Sequence, residues 1–319
     1  MTPDSHSGDP PRPEQNAPDP AAKLGDEAAP SDSPAREKMG AWVKEFALYP
    51  FFIVLGIVGV FTLFSHLLRN DETALDYLQQ LRTSGGNDRW YAAFQLSNHL
   101  ARDEEDLRGD PLFVAEVERA FEAGASDDPR VQRYLAIVLG RIGTAENLPT
   151  LEKALASDED VETRMWSAWA MGSIGDRAAV PALIAALEDA DPAVRKTSAY
   201  ALGSLRDPRS VEPLTSSLQD TAEDVRWNAA IGLALLGDGA GYAVLKEMVN
   251  SLHLSRIDGM TDESVKSVML NAVKALGVLQ ETYPSARDLL EETMESAPFP
   301  VVRQEAEKQL AAGESGANS

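Results

Sequence analysis

The side chains able to do chemistry in this chain are few and scattered. Its four histidines, His6, His66, His99 and His253, stand so far apart in sequence that no pair has metal-ligand spacing. The absence of cysteine excludes disulfides, thiolate nucleophiles and cysteine-bound zinc or iron–sulfur centres. Two further stretches invite a calcium or phosphate reading. The run Asp103-Glu104-Glu105-Asp106 lacks the glycine pattern of a calcium loop, and the segment Gly237 to Gly241 follows no strand, so both read as loops. No catalytic residue, metal ligand or cofactor site is therefore expected, and the chain reads as a non-enzyme. What does recur at fixed spacing is a set of arginines, Arg164, Arg195 and Arg226, each 31 residues from the next. Large aromatic side chains stand at constant offsets from them.

That spacing belongs to a repeat. The segment ETRMWSAWAMGSIGD at 162–176 returns as AVRKTSAYALGSLRD at 193–207 and as DVRWNAAIGLALLGD at 224–238. Self-similarity at such a period marks a supersecondary unit whose apolar face is covered only by neighbouring copies. At about 100° per residue, Val194, Ser198, Ala201, Leu202 and Leu205 share one side of a helix, which predicts that this side faces the core. A second helix follows in each unit. Val211, Leu214 and Leu218 carry its spacing, matched by Val180, Leu183 and Leu187 and by Val244, Leu245 and Val249. Each unit is expected to be a helical hairpin, and Asp176, Asp207 and Asp238 recur where the second helix starts, as N-caps would. The register extends to 130–144 with Gln132 at the arginine position, to 88–100, and to 267–279 with Met269 there. About six or seven hairpins over residues 74–313 are expected, an all-α fold.

Along such a stack the arginines form a ladder. A ligand-binding row is one reading; the structural one, which we favour, has each planar guanidinium staple a carboxylate or carbonyl of an adjacent hairpin. One and five residues after the arginine position lie Trp90 and Phe94, Trp169, Tyr200 and Trp227, with Lys196 and Ile231 completing the stripe. Rigid aromatics of this kind suit a partner-binding surface. They equally suit packing between neighbouring hairpins, and both readings stay open.

The pattern Asp-x-x-Val-Arg, a small-residue helix ending in Leu-Gly, then Asp followed by Ala, Val, Pro and Leu, resembles the HEAT-like repeat of the phycobilisome-lyase type. The likeness covers residues 87–310 and is strongest from 130 to 250. It implies an α-solenoid in which the Val-Arg helix lines the concave side and the helix bearing Pro149, Pro181 or Pro213 the outer side. It implies no single activity, because lyase subunits and scaffolds share the repeat. HEAT-repeat iron hydroxylases carry His-Glu pairs, and this sequence has none.

Ahead of the repeats, Phe46 to Leu68 is a run of 23 residues without a formal charge. Its stretch from Pro50 onward would measure roughly 28 Å as a helix at ~1.5 Å per residue, close to a bilayer's hydrocarbon core. Apolar side chains surround that helix without a polar side, against a buried core helix. Its length and its distance from the N-terminus argue against a cleaved signal peptide. A single transmembrane helix over 46–68 is expected, placing the chain in a cell membrane such as a bacterial inner membrane. Arg36, Lys38 and Lys44 before it, against Arg69 and Arg82 after it, slightly favour repeats on the extracytoplasmic side. Residues 1–40, rich in proline, and 314–319 are expected to be disordered.

The formal charge is −22, and residues 1–47 hold only five of the 29 basic and nine of the 51 acidic side chains, leaving 24 against 42 elsewhere. A surface of that sign repels phosphate backbones, so no nucleic-acid partner is expected. The expected role is a membrane-anchored scaffold or adaptor for a protein partner, as an accessory subunit of a membrane complex. A lyase-like enzyme subunit acting on a pigment or acceptor protein, and a passive spacer in the cell envelope, are the alternatives.

Overall fold

The computed structural model describes residues 49–67, 73–102, 107, 110–124, 128–157 and 159–316. The expected head over 1–40 and the acidic run 103–106 lie outside the described residues, as do 317–319 of the expected tail. Two units divide the chain, Met1–Asp71 and Glu72–Ser319.

The described part of the first unit is one helix, α1, Tyr49–Leu67. Its described side chains, Tyr49 through Leu63, are exposed all round, Phe51, Ile53, Val58 and Phe61 among them. Among the described residues no helix is long and apolar enough to cross a membrane. The transmembrane helix expected over 46–68 is thus not shown by the described residues.

The second unit is helical throughout its described elements. Its helices are α2 (Ala74–Thr83), α3 (Asn87–Arg102), α4 (Pro111–Gly124), α5 (Pro129–Ile142), α6 (Leu148–Ser157), α7 (Val161–Ile174) and α8 (Val180–Ala185). There follow α9 (Pro192–Leu205), α10 (Val211–Ser217), α11 (Glu223–Leu235), α12 (Tyr242–Met248), α13 (Ser251–Leu254), α14 (Asp262–Leu279), α15 (Pro284–Ser296) and α16 (Pro300–Gly316). The last helix therefore continues past Leu310.

Seven hairpins are built from these, and their phase differs from the sequence expectation. Each short helix packs along the long helix that follows it, α2 on α3, α4 on α5, α6 on α7 and so on to α15 on α16. The long helix and the next short one, taken from the sequence as one unit, are joined in the four middle units by a 3-10 turn that carries the chain over to the next hairpin. The period is the same in either phase, so periodicity alone could not choose. Long helices stack in order, α3 on α5, α5 on α7, and onward, whereas successive short helices touch sparsely. A stack spaced closely on one side and loosely on the other bends toward its long-helix side.

The close spacing has a local cause. A Cβ on Gly203 of α9 would lie 2.4 Å from the Cα of Gly232 on α11, and one on Gly172 would lie 2.7 Å from the Cβ of Ala201. Only small residues let these backbones meet. Val194, Ser198, Ala201, Leu202 and Leu205 are all buried, as the helical angles require. Buried side chains run in two continuous clusters, Ala74 to Leu233 and Ala230 to Leu310, with α11 contributing to both. The regular period ends there, because α13 and the turns up to Met260 are inserted before α14.

Candidate interaction surface

The arginine ladder connects hairpins. Arg164 on α7 makes a two-pronged bond to Asp189, Nε to Oδ2 at 2.8 Å and Nη2 to Oδ1 at 2.9 Å. Arg195 on α9 repeats this with Asp220 at 2.8 and 2.9 Å, and its Nη1 donates to the Asp189 carbonyl at 2.9 Å. Asp189 and Asp220 sit in the loops that lead into the next long helix. Arg226 donates to the carbonyls of Asp220 at 2.8 Å and Thr221 at 3.2 Å, and lies 3.4 Å from Glu223. Its ion pair is within its own helix, and 31 residues beyond Asp220 the sequence has Ser251 in place of an aspartate. The sequence reading did not single out Asp189 and Asp220, although their own spacing of 31 was available as a signal.

One rung is shifted. Gln132 occupies the arginine position of α5 and is buried, whereas the guanidinium comes from Arg133, bonded to Asp160 at 2.8 and 2.6 Å and to Glu162 at 2.7 Å. The Arg133 bond, working against burial and aided by Thr163, lowers the Asp160 pKa from its ordinary 3.8 to about 2. The Arg195 bond likewise lowers Asp220. Burial pushes Asp189 up, but Arg164 and the backbone N–H of Asp191 outweigh it, and its pKa is lowered too. A folded-state pKa below the unfolded one gives stability that is present above about pH 4 and lost as pH falls toward 2. Asp160→Asn should therefore lower the urea midpoint at pH 7 and flatten its fall between pH 4 and pH 2.5. An acid limb as steep as in the wild-type chain would contradict this.

The three repeating aspartates accept backbone N–H bonds from two residues on: Asp176 from Ala178 at 2.8 Å, Asp207 from Arg209 at 2.9 Å and Asp238 from Ala240 at 2.8 Å. Each opens the 3-10 turn that precedes a short helix. In the glycine-rich loop, a Cβ on Gly239 would lie 2.6 Å from the ring of Tyr283, and one on Gly241 2.7 Å from the Cα of Ala230. Those glycines serve close packing. His99 lies edge-on to Tyr77 at 6.1 Å, and His253 is in the separate α13.

The aromatic stripe divides. Trp90 stacks under the Arg130 guanidinium at 4.4 Å, and Phe94 meets Tyr134 of the next long helix at 5.3 Å. Trp169 lies so close to the preceding long helix that a Cβ on Gly140 would be 2.7 Å from its ring, and it also meets Trp166 at 5.8 Å. Trp227 is half-buried against the second core cluster. Tyr200, in contrast, is 48% exposed in the middle of the long-helix layer, one turn from the Lys196–Asp224 ion pair at 3.3 Å. Tyr91, 50% exposed beside Trp90, and Tyr134 and Trp166 belong to the same face and were missed, because they fall outside the two offsets used to trace the stripe.

Residues 118–190 and 180–256 match the family of HEAT repeats. No curated protein matches the chain. Among solved structures it is similar to the complex of CpcE and CpcF of phycocyanin lyase from Nostoc sp. PCC7120, with 17% identity, a TM-score of 0.49, and coverage of 75% of this chain and 94% of that one. A designed armadillo repeat protein is 19% identical, with a TM-score of 0.35 and coverage of 75% and 99%. Human deoxyhypusine hydroxylase in complex with glycerol is 20% identical, with a TM-score of 0.34 and coverage of 76% and 96%. The match to HEAT repeats thus covers the hairpins between residues 118 and 256.

Proposed function

We propose that this chain is a membrane-attached HEAT-repeat scaffold that holds a protein partner on its long-helix layer, as an accessory subunit of a membrane complex. The observation that carries the reading is Tyr200: while Trp90, Phe94, Trp169 and Trp227 are taken up in packing the stack, this ring stands open to solvent at its centre. Exposed tyrosine offers a large amphipathic contact at low entropic cost and is enriched where proteins bind. The stack acts by shape, since its hairpins satisfy one another and leave a long face for contact. Attachment to the bilayer is assigned to the uncharged run 46–68, whose described side chains are mostly apolar and exposed.

One preparation tests both parts. Membranes are washed with alkaline carbonate, solubilised in mild detergent, and the full chain is isolated with its partner. The chain should stay in the membrane after the wash, and Tyr200→Ala should reduce partner recovery by roughly tenfold, the ~1.4 kcal/mol of a modest hot spot. Release by carbonate would refute the anchor, and undiminished recovery with Tyr200→Ala would refute the binding face.

A further inference from the structure

We infer that the cleft between α4, α5 and α6 binds an extended peptide segment carrying a basic side chain. It is a cavity of about 380 Å³, with Phe121 and Ala154 as apolar wall and Gln132, Lys153, Glu122 and Glu159 as polar lining. That volume lies within the usual range for ligand sites, roughly 300–1,000 Å³. Gln132 is 5% exposed, and its side-chain amide has no hydrogen-bond partner among the described residues. The side chain is thus enclosed except where it lines the cavity, and an occupant of the cleft can complete the hydrogen bonds of its amide.

The repeat explains why space exists here. At the same position of α7 and α9 the side chain is Arg164 or Arg195, whose guanidinium extends to Asp189 or Asp220 across the junction between hairpins. Gln132 is shorter and uncharged, and the neighbouring Arg133 is directed to Asp160 and Glu162. The stem of Gln132 is held in place: a Cβ on Gly124 would lie 3.0 Å from its Cγ.

The chemistry of the lining selects the ligand. A primary amide presents both donor and acceptor, the complement of a peptide bond's C=O and N–H. The carboxylates of Glu122 and Glu159 form no ion pair with a described residue, and with Lys153 as the one cation of the lining left outside any described ion pair the mouth is net negative. A lysine or arginine beside the bound amide would meet them. The inference rests on the protein-binding reading but concerns a site separate from Tyr200, so either can fail alone.

The chain has no cysteine, so Ser157→Cys places a unique thiol at the rim of the cleft. The full-length protein in detergent is equilibrated with N-acetyl-Cys-Ala-Lys-amide or N-acetyl-Cys-Ala-Glu-amide under reversible disulfide exchange, and capture is read by intact mass. Capture of the lysine peptide should exceed that of the glutamate peptide by roughly tenfold, equivalent to ~1.4 kcal/mol. Adding Gln132→Leu should lower the lysine capture several-fold, with far-UV circular dichroism confirming that the fold is intact. A thiol at Ser255→Cys, on an exposed turn outside the cleft, should show far less preference. Equal capture of both peptides, the same preference at Ser255→Cys, or capture unchanged by Gln132→Leu would overturn the inference.

Discussion

Gly203→Ala is expected to destabilise the repeat unit by about 1–3 kcal/mol, the usual cost of overpacking a tight contact. The sign is informative, because in a helix interior alanine is ordinarily better than glycine by about 1 kcal/mol. Here the added Cβ would come within 2.4 Å of the Gly232 Cα, a backbone atom that has no rotamer by which to yield. Relief requires α9 and α11 to separate, which also loosens the buried Leu202 and Leu233 around them. Ser204→Ala, one residue along on the exposed side, should be neutral or slightly stabilising. Urea denaturation followed by circular dichroism separates the two. A Gly203→Ala protein as stable as the wild type would show that the long helices are not in contact at this point.

Arg195→Met is expected to cost about 3 kcal/mol or more, the scale for breaking an enclosed ion pair by removing one partner. Both side chains are largely covered, 15% and 13% exposed, so solvent provides little relief. The loss is larger than that of a surface bridge because Asp220 would retain its charge without the guanidinium that bonds both its oxygens, although the Ala222 N–H would remain. Removing both charges, as Arg195→Met with Asp220→Leu, should recover most of the stability, since apolar replacements of an enclosed pair are often neutral. Denaturation midpoints of the four proteins form a double-mutant cycle. Additive effects would show that the pair does not couple the two hairpins.

The stack was legible because its period forces the same face inward each time, and Val194, Ser198, Ala201, Leu202 and Leu205 are buried as their angles demand. Hairpin phase was not legible, because a two-helix period looks identical from either starting helix. Arg133 escaped notice because the helix register between α5 and α7 is 32, which sets Gln132 opposite Arg164, although Arg133 itself stands 31 residues before Arg164, the period of the ladder. Helical angles gave the direction of the aromatic stripe but no distance to the next hairpin. Hence Trp169, packed beside Gly140, and Tyr200, open to solvent, carried the same sequence signal.

Photocrosslinking in cells from position 200 asks whether the long-helix layer is the face that meets a partner. With benzoylphenylalanine in place of Tyr200 in the full-length chain, one discrete adduct is predicted, absent when the probe stands instead at Leu252, which is more open to solvent than Tyr200 but on the inserted α13. No adduct from position 200, or the same diffuse labelling from both positions, would contradict it.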